Sequence, residues 1–338
     1  MHTKGGIKMI ILPYNLKPIL CAYQPEAFLC GILFSKNEKY LPYLLSHYIQ
    51  FIYYEDYATY RTRLNYNNFY ENWLFKNHGL ISFNCLSIPY FITESERIDF
   101  VKIVSDVLHD GYYIMGIYNE YFIPGKSAYN SHHFDHDYLI YGVDEEKQEF
   151  YSAGYLQDGF YSTFTIPFDN YNKSLHTTNR PYHIFWFLKF NNDLELSFNI
   201  NTVKQGLWNY LNSYKPDNSK NTYGLQAIES LITLFEEMKN KQNDVDLRSL
   251  FALKEHKQLM RIRLNYMMEK NHIKRDEHIL VEYDQMIQQS EMALSLGMKY
   301  NITKNQSTVD KICGILHENM KMEIDCLKNI YDQITYSS

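Results

Sequence analysis

The hydrophobic periodicity of this 338-residue chain changes at about residue 200, and that change restricts the architectures open to it more than any other feature. Up to about residue 195, short runs rich in aromatic and branched residues alternate with turn chemistry and occasional helical spacing. Beyond it, apolar residues recur every three or four positions in five segments, 202 to 213, 223 to 241, 246 to 271, 276 to 299 and 306 to 335. Short polar stretches, Lys215 to Asn218 and Asn301 to Asn305 among them, separate the segments. A helix-flanked antiparallel sheet followed by an all-helical bundle buries both patterns, so the expected fold class is α+β, with domains at residues 1–198 and 199–338. No fixed period repeats along the chain, which argues against a solenoid.

Within the first domain, Ala27 to Phe34 is apolar and follows Pro25-Glu26, a helix-start signal that places Cys21 at, or just ahead of, a helix N-terminus. A second helix is predicted from Ser95 to Leu108, closed by Asp110-Gly111. Tyr112 to Tyr118 reads as a strand, and Ile123-Pro124-Gly125-Lys126 as turn chemistry. A polar loop at Ser131 to Asp135 leads into a meander of strands at His136 to Val143, Glu149 to Tyr155 and Tyr161 to Pro167. Phe185 to Phe190 adds another strand, and Leu80 to Asn84 is strand-like as well.

Charge and cysteine usage exclude several classes. The formal charge is −6 with no run of like charges, which argues against a nucleic-acid partner. The longest apolar stretches fall far short of the roughly 20 residues that span a bilayer. Five scattered cysteines without an apolar leader point to a reduced, cytoplasmic setting. The 32 tyrosines are read as compositional bias rather than as a stacking platform.

Two residues stand out chemically. A cysteine nucleophile acts as thiolate, and a helix N-terminus together with a neighbouring imidazolium favours that form. Cys21 has the first by position, and His136, opening a strand, is placed to supply the second. Cys30 falls on the apolar face of the helix after Cys21, and Cys313 and Cys326 sit among apolar residues of the last helix, so all three read as core; Cys85 is the competing nucleophile. His132, His133, Asp135, His136 and Asp137 invite a metal reading, but adjacent ligands in a short loop seldom converge on one ion, and no metal or cofactor is expected.

The order of cysteine, helix, strand and histidine hairpin, with His136-Asp137-Tyr138-Leu139-Ile140-Tyr141-Gly142-Val143-Asp144 on the hairpin, resembles papain-like enzymes of the bacteriocin-processing peptidase type. Tyr121 to Lys126 and Ala153-Gly154-Tyr155 are similar to the group typified by the butirosin-biosynthesis acyltransferase, over roughly residues 10 to 190. The resemblance implies a Cys21 nucleophile, a His136 base and acid, and an oxyanion hole from the Cys21 N–H and Asn15, six residues ahead where the family carries glutamine. The family's histidine-orienting residue, sixteen positions after the histidine, falls on Ser152, with Asp158, Asp135 and Asp137 as alternatives.

The activity so implied is amide-forming acyl transfer in specialised-metabolite biosynthesis. The acyl group would come from the phosphopantetheine thioester of a carrier protein, pass through a Cys21 acyl-enzyme and reach a small-molecule amine. Hydrolysis of that acyl-enzyme by a peptidase or thioesterase is the alternative, and a non-catalytic scaffold or a His/Asp metal enzyme is the next. A basic cluster, Lys270, His272, Lys274 and Arg275, is a candidate docking point for an acidic carrier.

Overall fold

A computed structural model describes residues 9–35, 38–56, 63–66, 81–89, 98–176, 181–191 and 194–335. It is α+β, with an antiparallel sheet and a helical C-terminal region. The chain divides into two compact units, Met1–Glu38 with Phe75–Leu194, and Lys39–Leu74 with Glu195–Ser338. Residues 39–74 thus group with the C-terminal helices, whereas the sequence suggested a single boundary near residue 198. Their two described strands explain this: β2 (Phe51–Tyr53) pairs with β3 (Leu64–Tyr66) on one side and with β10 (Thr222–Tyr223) on the other.

In the first unit, β1 (Met9–Ile11), β4 (Ile81–Pro89), β5 (Tyr113–Asn119), β6 (Asp135–Asp144), β7 (Glu149–Tyr155), β8 (Tyr161–Pro167) and β9 (Tyr182–Phe190) form one antiparallel sheet in the order β4-β9-β5-β6-β7-β8. The last strand, β9, is therefore interior, and β1 adds to the end of β6 that β5 leaves free, Ile10 opposite Val143. A bulge between Ile140 and Gly142 gives β6 one extra residue against β7, which returns Val143 to the face of Tyr138 and Ile140. Gly142 is required where β1 crosses, since a Cβ there would lie 2.8 Å from the Ile10 carbonyl oxygen.

Among the described residues, three helices accompany the sheet. α1 (Gln24–Leu33) carries Pro25 in its first turn, where the missing N–H costs nothing, and packs on β6 and β7. α2 (Phe100–His109) begins at Asp99, whose carboxylate accepts from Lys102 N at 3.0 Å, and buries Phe100, Val104 and Leu108. The predicted start at Ser95 lies outside the described residues. α3 (Phe168–His176) adds Tyr171 and Leu175 to a core shared with Ile114, Ile140, Phe150 and Ile166.

The second unit contains α4 (Ile200–Leu211), α5 (Gly224–Lys241), α6 (Leu247–Glu269), α7 (Glu277–Thr303) and α8 (Gln306–Gln333), close to the five periodic segments. Asn199, Asp246, Asp276 and Asn305 each cap a helix with a side-chain oxygen. Two buried groups of α6 hold the Leu45–Ile49 segment. Arg263 donates to the carbonyls of Leu45, His47 and Tyr48, and His256 Nε2 donates to Ile49 O at 2.8 Å. Tyr48 stands there at φ 57°, a left-handed conformation that the surrounding bonds sustain. Glu323, fully buried, receives Lys257, Tyr210 and Tyr283, with His256 3.6 Å away.

Candidate active site

The site grows from the end of β5. Asn119 closes the strand, and its Oδ1 accepts from Tyr121 N and Phe134 N, bending the chain into a single 3-10 turn, Glu120–Phe122. That turn drops Glu120 beside the start of β6, where its Oε1 accepts from His136 Nδ1 at 2.9 Å. The carboxylate side chain is 5% exposed and the imidazole 33%, so the histidine is the part of the pair that reaches solvent. With the carboxylate on Nδ1, the neutral ring carries its proton there and keeps Nε2 as acceptor, a tautomer assigned from the hydrogen-bond network. Phe134 lies against the same ring, centroids 5.2 Å apart, and is itself exposed.

Gln24, the first residue of α1, completes the setting. Its Nε2 donates to Asp137 O at 3.1 Å and its Oε1 accepts from Tyr155 N at 3.0 Å, tying α1 to β6 and β7. The same Nε2 is 3.2 Å from His136 Nδ1 and 3.4 Å from His136 Nε2. A donor on the in-plane lone pair of one ring nitrogen would stand much farther from the other, so the amide lies over the ring face and leaves the in-plane direction of Nε2 clear.

Cys21 stands three residues before α1, outside any helix or strand, and is half-buried. Its carbonyl accepts from the Tyr155 hydroxyl, which anchors the Cys21 segment to β7 beside the Gln24 contact. Burial and then the Tyr14 hydroxyl raise the Tyr161 pKa, and a charge on the nearby Cys21 thiol adds a smaller push in the same direction.

Of the residues expected from sequence, Cys21 and His136 are brought to the two ends of this Gln24–Tyr155 connection. Asn15 is elsewhere. Its N–H donates to Gly31 O at 2.8 Å and its Oδ1 accepts from Lys17 N at 3.0 Å, which sets it beside the second half of α1, roughly 10 Å of helix from Gln24. Ser152 is wholly buried and its hydroxyl donates to Leu139 O at 2.8 Å, within the β6–β7 pairing. Asp158 turns its carboxylate to Phe160 N in the β7–β8 loop. Asp135 and Asp137 flank the histidine on β6, and the group on Nδ1 is Glu120.

Neither Glu120 nor Gln24 was read from sequence. Glu120 has one signal, a lone carboxylate at the end of the strand that pairs with the histidine strand. His133 bonds to Asn119 Nδ2 at 2.8 Å and lies tilted against the Tyr121 ring, centroids 4.6 Å apart, and among the described residues no three metal-ligating side chains converge.

Cys30 is buried, and burial raises Cys313 to about 11; burial, then the Glu282 carboxylate, raises Cys326 further. Cys85 is exposed on β4. In the second unit Arg275 pairs with Glu277 at 2.6 Å, and His272 stacks on Phe198. A cavity of about 440 Å³ there, lined by Ser46, His47, Gln50, Asn199 and Asn209 among others, contains none of the expected site residues.

No family model matches the chain, and no curated protein matches it. Among the described residues no helix is long and apolar enough to cross a membrane.

Proposed function

We propose that the first unit is a papain-like, cysteine-dependent acyltransferase that forms amides from carrier-bound thioesters. One observation carries the reading: His136 is held through Nδ1 by the buried Glu120, 2.9 Å away, next to the first residue of the helix that Cys21 precedes. A base needs a fixed tautomer and orientation, and a carboxylate on Nδ1 supplies both.

In the proposed cycle the Cys21 thiol proton passes to His136 Nε2 and the sulfur attacks the thioester carbonyl. The Cys21 N–H stabilises the oxygen on which negative charge develops. Collapse expels the phosphopantetheine thiol, which takes the proton from His136, and leaves the acyl-enzyme. The amine then attacks the acyl carbon, its proton goes to Nε2, and the departing Cys21 sulfur receives that proton as the amide is released. Asn15, beside Gly31, is not assigned to the oxyanion.

Intact mass of the protein after exposure to an acyl-carrier thioester tests the reading. An acyl adduct absent from Cys21→Ala and discharged to amide by added amine is the expected result; no adduct, or discharge only to free acid, overturns it.

A second reading, a non-catalytic scaffold, is favoured by the fact that Gln24, not a cysteine, is the first residue of α1 and takes the contact with His136. Iodoacetamide labelling of Cys21 at about pH 6.5 no faster than a model thiol supports the scaffold.

A further inference from the structure

Lys126 is delivered by the turn that follows the 3-10 segment, its N–H on Ile123 O and Gly125 left-handed at φ 82°. Its side chain is 1% exposed. Nζ donates to Tyr155 O at 2.7 Å, lies 4.7 Å from the Phe164 ring centroid, and stands 3.5 Å from Oε1 of Glu120, the same oxygen that holds His136. Burial pushes the ammonium pKa down, and the Glu120 charge opposes that push.

These contacts close on themselves. Lys126 meets Glu120, Glu120 meets His136, His136 meets Gln24, Gln24 meets Tyr155 N, and Tyr155 O meets Lys126. Gly154 sits inside the ring, where a Cβ would lie 2.6 Å from Gln24 Oε1 and 3.0 Å from Lys126 Nζ.

We infer that Lys126 is a positioning residue for His136: its buried ammonium keeps Glu120 ionised, and the ionised carboxylate keeps the imidazole proton on Nδ1. A buried carboxyl deprived of its counter-charge holds its proton. Protonated Glu120 would donate to Nδ1 instead of accepting from it, and the neutral ring would then carry its proton on Nε2. Nε2 in that form takes no proton from a thiol. The inference uses the proposed function only in treating Nε2 as the catalytic acceptor; the tautomer itself does not depend on that reading.

The test is 15N NMR of histidine-labelled full-length protein at about pH 8, where a reference imidazole is neutral, for the unaltered chain, Lys126→Met and Lys126→Arg. The unaltered chain and Lys126→Arg are expected to show His136 protonated on Nδ1, and Lys126→Met on Nε2, with alkylation of Cys21 slowed by about tenfold. A folded Lys126→Met that keeps the Nδ1 proton overturns the inference.

A switched tautomer without acyl transfer by the unaltered chain would uphold the inference and overturn the acyltransferase reading. Where Lys126→Met does not fold, Lys126→Gln keeps a donor for Tyr155 O without the charge and carries the same comparison. The Glu120 carboxyl 13C shift in the unaltered chain is a separate check, and a protonated shift at neutral pH sinks the idea.

Discussion

Glu120 and His136 form a pair in which a buried carboxylate grips a partly exposed imidazole through one nitrogen, 2.9 Å apart. Glu120→Gln removes the counter-charge of Lys126 and replaces the carboxylate on Nδ1 by an amide, whose oxygen is the weaker acceptor. Leaving an ammonium buried and unpaired costs about 3 kcal/mol. Denaturant unfolding should report that loss, and Cys21 alkylation should slow in the same variant.

Gly154→Ala forces a methyl group against Gln24 Oε1 and Lys126 Nζ, neither of which ends a flexible, unconstrained chain. About 2 kcal/mol of destabilisation is expected. A thermal midpoint unchanged within error would show that the ring of contacts yields easily.

Ser152→Ala separates a structural hydroxyl from a catalytic one. The bond to Leu139 O is buried, so its loss costs about 1 kcal/mol. Cys21 reactivity should not change, and a large fall in it would return Ser152 to the mechanism.

Acid should weaken the helical unit. Burial, then the Lys257 charge, lowers the pKa of His256 from 6.5 to about 3, so the folded chain holds this imidazole neutral where the unfolded chain would protonate it. The stability it contributes is complete above about pH 6.5 and is lost progressively as pH falls toward 3, by about 1.4 kcal/mol per pH unit. Burial alone would raise Glu323, but the charge and hydrogen bond of Lys257, with the Tyr210 hydroxyl, outweigh it and the net shift is downward from 4.5, adding a loss of the same sign at lower pH. His256→Gln, which retains a donor for Ile49 O, should flatten the unfolding free energy between pH 6.5 and 4.5.

Arg263→Met leaves three backbone carbonyls of the 45–48 segment without their donor and Tyr48 in a left-handed conformation with less to hold it. A loss of about 3 kcal/mol is expected, with hydrogen exchange rising first in residues 45–50.

Much of the architecture was legible because it is local. The β6–β7–β8 meander announces itself through alternating apolar residues and the Asp144–Gln148 turn, and the bundle helices through their spacing and side-chain caps. What depends on distant partners was not. β9 lies between β4 and β5, and Ile52 and Tyr53 pair with Tyr223 and Thr222, because long-range register leaves no mark in either segment alone.

Arg263 reads as a surface residue on an amphipathic helix, and only the carbonyls it meets explain its burial. At the site, Cys21 and His136 are chemically conspicuous. Glu120 was masked by the aspartates that flank the histidine, and Gln24 by having no reactive chemistry of its own; its value lies in joining two strands to a helix.

The interleaving of the two units has a practical consequence for anyone who would separate them. Because Lys39–Leu74 belongs with Glu195–Ser338 and interrupts the other unit, no single scission releases either one whole. A chain ending near residue 198 would keep Phe51–Tyr53 while discarding Tyr223 and the helices beside it, stranding a buried apolar strand in water. During synthesis the ribosome faces the same difficulty: Phe51–Tyr53 emerges some 170 residues before its partner at Thr222–Tyr223, and must be kept from sticking to anything else until the helices arrive.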